Sequence, residues 1–167
     1  MIDFQRQSVK LEHLSVHTEI HGDEEKPMLD LKLSANLSNV TLDRLAESLC
    51  DSLYYGDGNG DLLGKDVAYR PHLRFPALGV LHWSGDWHHV SLALHLGAKP
   101  KDDMRLVNGR LGKITLKPCE GGTYAYGFRF QIEPNGEVNT LMALLKHEVN
   151  ATLDVSEARE DDGEDDM

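Results

Sequence analysis

No stretch of this 167-residue chain is apolar for long enough to cross a bilayer as a helix. Its opening, MIDFQRQSVKLEH, has no apolar core of the kind a secretion signal carries. Cysteine is scarce. Cys50 and Cys119 stand far apart without metal-type spacing, so both are expected as reduced thiols in a bacterial-type cytosol. The sequons at Asn36, Asn39 and Asn150 then carry no glycan. Enzyme signatures are missing too: there is no G-x-S-x-G elbow, no H-E-x-x-H, no P-loop and no dinucleotide fingerprint. Non-enzymatic function is the expectation, and no cofactor is expected.

What is present is acid, unevenly spread. The net charge is −11. From Asp154 to Met167 the sequence DVSEAREDDGEDDM holds eight acids against Arg159 alone, so it supplies −7 and leaves −4 for everything before it. With no aromatic residue to bury, it cannot offset the entropy of ordering. The expected organisation is one domain over 1–153 and a disordered acidic tail over 154–167.

Two segments have helical spacing. Leu42, Leu45, Ala46, Leu49, Cys50 and Leu53 form one apolar stripe, with Ser38, Asn39 and Thr41 competing as its cap. Val138, Leu141, Met142, Leu145 and Val149 form another, with Asn135 as cap. Much of the remainder alternates with period two: 13–21, 29–36, 89–96, 113–117 and 124–132 each set apolar against polar residues. SGDW and EGGT read as hairpin turns. LDLKLSANLSNVTLDRLAESL lies on YGFRFQIEPNGEVNTLMALLK without a gap, each an alternating strand with a central Lys or Arg, then an Asn-rich cap and a helix; this suggests two strand–strand–helix units, with convergent patterning as the alternative. These patterns predict an α+β fold: an antiparallel sheet, sandwich or partly closed barrel, with two covering helices.

Three polar features are candidates for function. DGNGDLLGKDVA starts like a calcium loop at Asp57, Asn59 and Asp61, then fails, with Leu62 in place of the required Gly and Ala68 in place of the bidentate Glu; a Gly/Asp-rich turn is the simpler reading. His17, Glu19 and His21 share one side of a predicted strand, and a third imidazole beside them would complete a zinc site; a hydrated histidine-rich surface is the alternative. The third is AKPKDDMRLVNGRLGKITLKP. Its six bases, Lys99, Lys101, Arg105, Arg110, Lys113 and Lys117, face only Asp102 and Asp103, a local +4 in an acidic chain. Lys113 and Lys117 point outward on one strand, and Arg129 points outward on its expected hairpin partner. A basic sheet face can track a phosphate backbone. Trp83 and Trp87, with Tyr54, Tyr55 and Tyr69, lie outside the clearest apolar stripes and are candidates to stack on bases. The bland alternative is a lysine-rich face guarding a sheet edge.

HGDEEKPMLDLKLSANLSN, with LRFPALGVLHW further on, resembles uncharacterised proteins encoded by tailed phages and prophages, over roughly residues 15–135. The resemblance implies a phage protein of an early or recombination region acting in the cytoplasm of a bacterial host. It carries no activity and no catalytic residue. The expectation is an accessory protein of DNA metabolism. It would bind single-stranded DNA, or a host or phage DNA-metabolism protein, without a membrane and as a possible homo-oligomer. Bacterial and phage single-strand-binding proteins pair a small β-rich domain with an acidic tail, but this tail lacks their terminal hydrophobic residue. The alternatives are a nucleic-acid mimic that inhibits a host defence system or host enzyme, and a metal-dependent enzyme built on the histidine face.

Overall fold

The period-two segments become long, bent strands. In a computed structural model, which describes residues 1–57 and 69–161, the chain runs β1 (Phe4–His21), β2 (Glu24–Ser38), a 3-10 turn (Asn39–Arg44), α1 (Leu49–Leu53), β3 (Tyr54–Tyr55), β4 (His72–Leu73), β5 (Leu81–Trp83), β6 (Trp87–His95), a 3-10 turn (Pro100–Asp102), β7 (Asp103–Cys119), β8 (Thr123–Ile132), α2 (Val138–Leu144), β9 (Glu148–Asp154) and β10 (Arg159–Glu160). Every strand pairing is antiparallel. Strands β6, β9, β1, β2, β8 and β7 follow one another, and β7 returns to β6, so six strands close a barrel. β5 and β10 extend it from β7 and β6.

Closure needs strands that bend. Residues with left-handed backbone supply it: Arg6 in β1 (φ 46°), His89 in β6 (φ 59°), and Asn108 and Lys113 in β7 (φ 58° and 48°), each beside an interrupted register. His89 Nδ1 lies 2.8 Å from Asn108 Oδ1, which ties two of these bends together across β6 and β7. The interior is filled. Leu29, Leu31, Leu33, Leu92, Leu94, Leu111, Ile114, Leu116, Tyr124, Tyr126, Phe128 and Phe130 are all buried there. These side chains pack together as the core of the barrel.

The expected α+β sheet with two covering helices is corrected by this arrangement: 57% of the described residues are strand and 14% helical. The first helical stripe breaks at Ser48, whose backbone is left-handed (φ 64°), leaving a 3-10 turn and the five-residue α1. No side chain caps the turn. Asn39 instead donates to the Arg70 carbonyl (2.7 Å), and Asp43 accepts from the Cys50 N–H (2.9 Å). Its apolar residues are still used, since Leu42, Cys50 and Leu53 are buried. The second stripe ends at Leu144. Lys146 turns left-handed (φ 68°) and donates its N–H to the Leu11 carbonyl, and Val149 enters β9. Asn135 does not cap this helix; Glu137 occupies that position and accepts from the Asn135 N–H.

The gapless overlay does not reappear as two strand–strand–helix units, since β2 and β8 are adjacent antiparallel strands of one barrel and their ladder agrees with the overlay at a single position. There Lys32 and Arg129 are opposite partners. EGGT makes the β7–β8 turn, with Gly121 and Gly122 at φ 95° and 84°. SGDW makes no hairpin, because β5 and β6 both pair with β7 and not with each other. The acidic segment begins inside the fold. Asp154 ends β9, Val155 and Ala158 pack on the core, and Arg159 and Glu160 pair with His88 and Trp87.

Candidate functional site

Outward residues of β1, β2, β8 and β7 alternate with the core ones and share one outer face. Register places them: His13 faces Lys32, Lys32 faces Arg129, Arg110 faces Gln131, and Thr115 faces Gly127. At Gly127 and Gly112 that face has no side chain. A Cβ at Gly127 would collide with Thr115 Oγ1, and one at Gly112 with Asp86 Oδ1. The 80–86 segment stands beside this low floor as a wall. The result is a depression of about 520 Å³ lined by His13, Lys32, His82, Trp83, Lys113 and Arg129 among others. It continues past Thr115 into a second hollow of about 550 Å³ that adds Lys117 and Lys146, and past Arg129 into one of about 390 Å³ that adds Glu19, Asp86 and Arg110.

The charge along this groove is graded. At one end Asp86 binds both arginines, Arg129 at 3.2 Å and Arg110 at 3.5 Å. The acidic segment reaches the same point: the Asp161 N–H donates to the Asp86 carbonyl (2.8 Å), and its carboxylate meets Arg110 (3.2 Å) and His88 (3.1 Å). In the middle, Lys32, Lys113 and Lys117 are exposed, and among the described residues none has a carboxylate within ion-pair distance. The buried Nε atoms of Arg110 and Arg129 and Oδ1 of Asp30 find no hydrogen-bond partner among the described residues, which makes this strip costly to keep dry.

The basic stretch of the sequence is split. Lys113, Lys117, Arg110 and Arg129 meet along the groove. Lys99 and Lys101 sit in or beside the exposed 3-10 turn between β6 and β7, and Arg105 faces Ala93 of β6, on a different part of the wall. Of the two tryptophans, Trp83 lines the groove, opposite Ile114 of β7. Both pack partly on the core, and Trp87 folds its ring over Gly85. Tyr54 is buried, donating to the Thr123 carbonyl (2.6 Å) and accepting from the Cys119 N–H (3.0 Å). Tyr55 and Tyr69 are exposed, with the Tyr55 ring tilted 37° against His72 at 5.1 Å.

The histidine face forms a line and not a centre. His17 Nδ1 lies 3.3 Å from Asp30, and its Nε2 lies 3.2 Å from one oxygen of Glu19, whose other oxygen lies 3.2 Å from His21. Gln131 donates to Glu19 from below (3.1 Å). Glu19 thus spends both oxygens on imidazoles, and the His17 bond is the main reason its carboxyl is held below the usual range. Among the described residues, no three His, Cys, Asp or Glu side chains could hold a metal ion together. The calcium-loop look-alike, apart from Asp57, lies outside the described residues.

Sequence reasoning missed Lys32, His13 and His82 as groove residues. It also missed a bridge across three strands: Asp103 Oδ1 to His95 Nδ1 (2.9 Å) and His95 Nε2 to Thr152 Oγ1 (2.7 Å). The order resembles a nucleophile, base and orienting acid. Yet less than a tenth of the Asp103 side chain and only about that of His95 is exposed, and Thr152 Oγ1 also accepts from the Arg6 N–H. Its geometry is that of a strap over the barrel wall. Burial pushes the Cys50 thiol up, away from the reactive thiolate.

Among the described residues no helix is long and apolar enough to cross a membrane. Comparison with protein families, curated proteins and solved structures finds no match to the chain.

Proposed function

We propose that the groove binds single-stranded nucleic acid, single-stranded DNA in the first instance, and that the protein is a non-enzymatic accessory of phage DNA metabolism in a bacterial cytoplasm. The observation that carries this reading is the convergence of Lys32, Lys113 and Arg129 with Trp83 around one open depression, in a chain of net charge −11. Lysines along a groove neutralise successive phosphates, and an indole at its wall offers a face to a base. The carboxylates of Asp86 and Asp161 already occupy Arg110 and Arg129, so the acidic segment competes for one end of the groove.

A titration of fluorescent single-stranded DNA tests this at low and moderate salt. The full chain and a chain ending at Glu160 should both bind at micromolar protein or below. Affinity should fall steeply as salt rises, and the shortened chain should bind more tightly. No binding by either chain at low salt would overturn the proposal.

A second reading rests on Asp23, Glu24 and Glu25, which lie exposed at the tip of the β1–β2 hairpin. An acidic tip can dock on a nucleic-acid site of a host protein and inhibit it. Stoichiometric capture of one nucleic-acid-binding host protein, lost on neutralising those three acids, would favour this reading over the first.

A further inference from the structure

The β1–β2 hairpin outruns the barrel. β1 pairs with β9 only as far as Lys10, and the last bonds on that edge are Leu11 N–H to the His147 carbonyl and Lys146 N–H to the Leu11 carbonyl. From His13 to His21, β1 pairs with β2 on one side, and no described residue pairs with its other edge. The other terminal strands, β5 and β10, have three and two residues. The free edge of β1 is therefore the long one. Edges of this length are usually blunted by lysine, proline or a bulge, and HLSVHTEIH contains neither Lys nor Pro and keeps an unbroken register with β2.

Its side chains are also out of place for a solvated edge. The face that carries Leu14 into the core continues past the rim as Val16, Thr18 and Ile20, and Val16 and Ile20 are 57% and 75% exposed.

We infer that this edge pairs with the same edge of a second copy of the chain, antiparallel and centred on Thr18. The segment is self-complementary in that register. Val16 of each chain faces Ile20 of the other, Thr18 faces Thr18, and His17 faces Glu19. Each exposed apolar residue gains an apolar cross-strand neighbour, and the His17–Glu19 pairs of the two copies lie side by side with opposite charges opposed. The acidic tips at Asp23–Glu25 point away from each other, so like charges stay apart. A two-fold axis through Thr18, normal to the sheet, produces this contact and closes at two copies. Both outer faces then lie on the same side of one continuous sheet. The inference holds whatever the groove binds, since it uses neither the lysines nor Trp83.

The test is the mass of the full chain by size exclusion with light scattering at tens of micromolar. The wild type should have twice the mass of one chain. Val16→Glu alone and Ile20→Lys alone should each be monomeric, because each buries an unmatched charge twice at the contact. The double variant should return to the dimer, because Glu at 16 then faces Lys at 20 of the other copy at both ends. Unchanged circular dichroism spectra show that the single variants are folded. A monomeric wild type, dimeric single variants, or a double variant that stays monomeric would each overturn the inference.

Discussion

The β2–β8 ladder has two faces on one backbone, and they have opposite uses. Inward, Leu31, Leu33 and Ala35 meet Phe130, Phe128 and Tyr126, all buried. Outward, Asp30, Lys32 and Ser34 meet Gly127, Arg129 and Gln131. The inner face is filled with the largest side chains available, while the outer one is lowered by glycine and rimmed with charge. A small barrel whose interior is occupied by its own aromatics has only its outside left for binding. The burial that stabilises the fold leaves the proposed site on the surface.

Removing an inner residue should give the largest effect. Phe130→Ala empties the space beside Gly109, where the ring lies against the backbone. The expected loss is about 3–5 kcal/mol in denaturant unfolding, with groove binding unchanged in the fraction still folded. A smaller effect is expected outside. Asp86→Asn removes the carboxylate shared by Arg110 and Arg129. Because that pair is partly exposed, stability should fall by no more than about 1 kcal/mol. Affinity for single-stranded DNA should rise several-fold, as read by fluorescence anisotropy.

The two faces should also fail at opposite ends of the pH scale. Outside, the hydrogen bond from His17 holds the Glu19 carboxyl below its ordinary value of 4.5. That stabilisation is complete above 4.5 and is lost as pH falls through the lower folded value. Glu19→Gln should flatten this acid limb. Inside, burial pushes the phenols of Tyr54 and Tyr124 from 10 up to about 12. Their contribution is complete below pH 10 and is lost as pH rises from 10 towards 12, because the unfolded chain ionises first. Melting temperature against pH measures both limbs. These should be the smallest effects of the set.

Much of the inner face was legible in the sequence, because period-two alternation in β2 and β8 states which residues are buried. Barrel closure was not. It depends on β9, whose Val149, Ala151 and Leu153 alternate over a short run, and Val149 also fits the helical stripe before it. The helices were over-read because a stripe records burial but not backbone angle; Ser48 and Lys146 break both stripes with left-handed turns that composition does not flag. On the outer face, Lys113, Lys117 and Arg129 were readable as outward neighbours. Lys32 needed the β2–β8 register. The split between Lys99–Arg105 and Arg110–Lys117 needed β7 to change partner from β6 to β5 around its bends. The neutralising role of Asp86 was hidden by reading SGDW as a hairpin turn.

That split offers the most direct test of the account. Lys32→Glu/Lys113→Glu and Lys99→Glu/Lys101→Glu change the net charge equally, but only the first pair lies in the groove. Binding of fluorescent single-stranded DNA by the two variants should differ by well over tenfold. The groove variant should lose measurable binding and the loop variant should stay within a few-fold of the wild type. Equal losses in both would show that overall charge, and not this groove, governs binding, and would contradict the account.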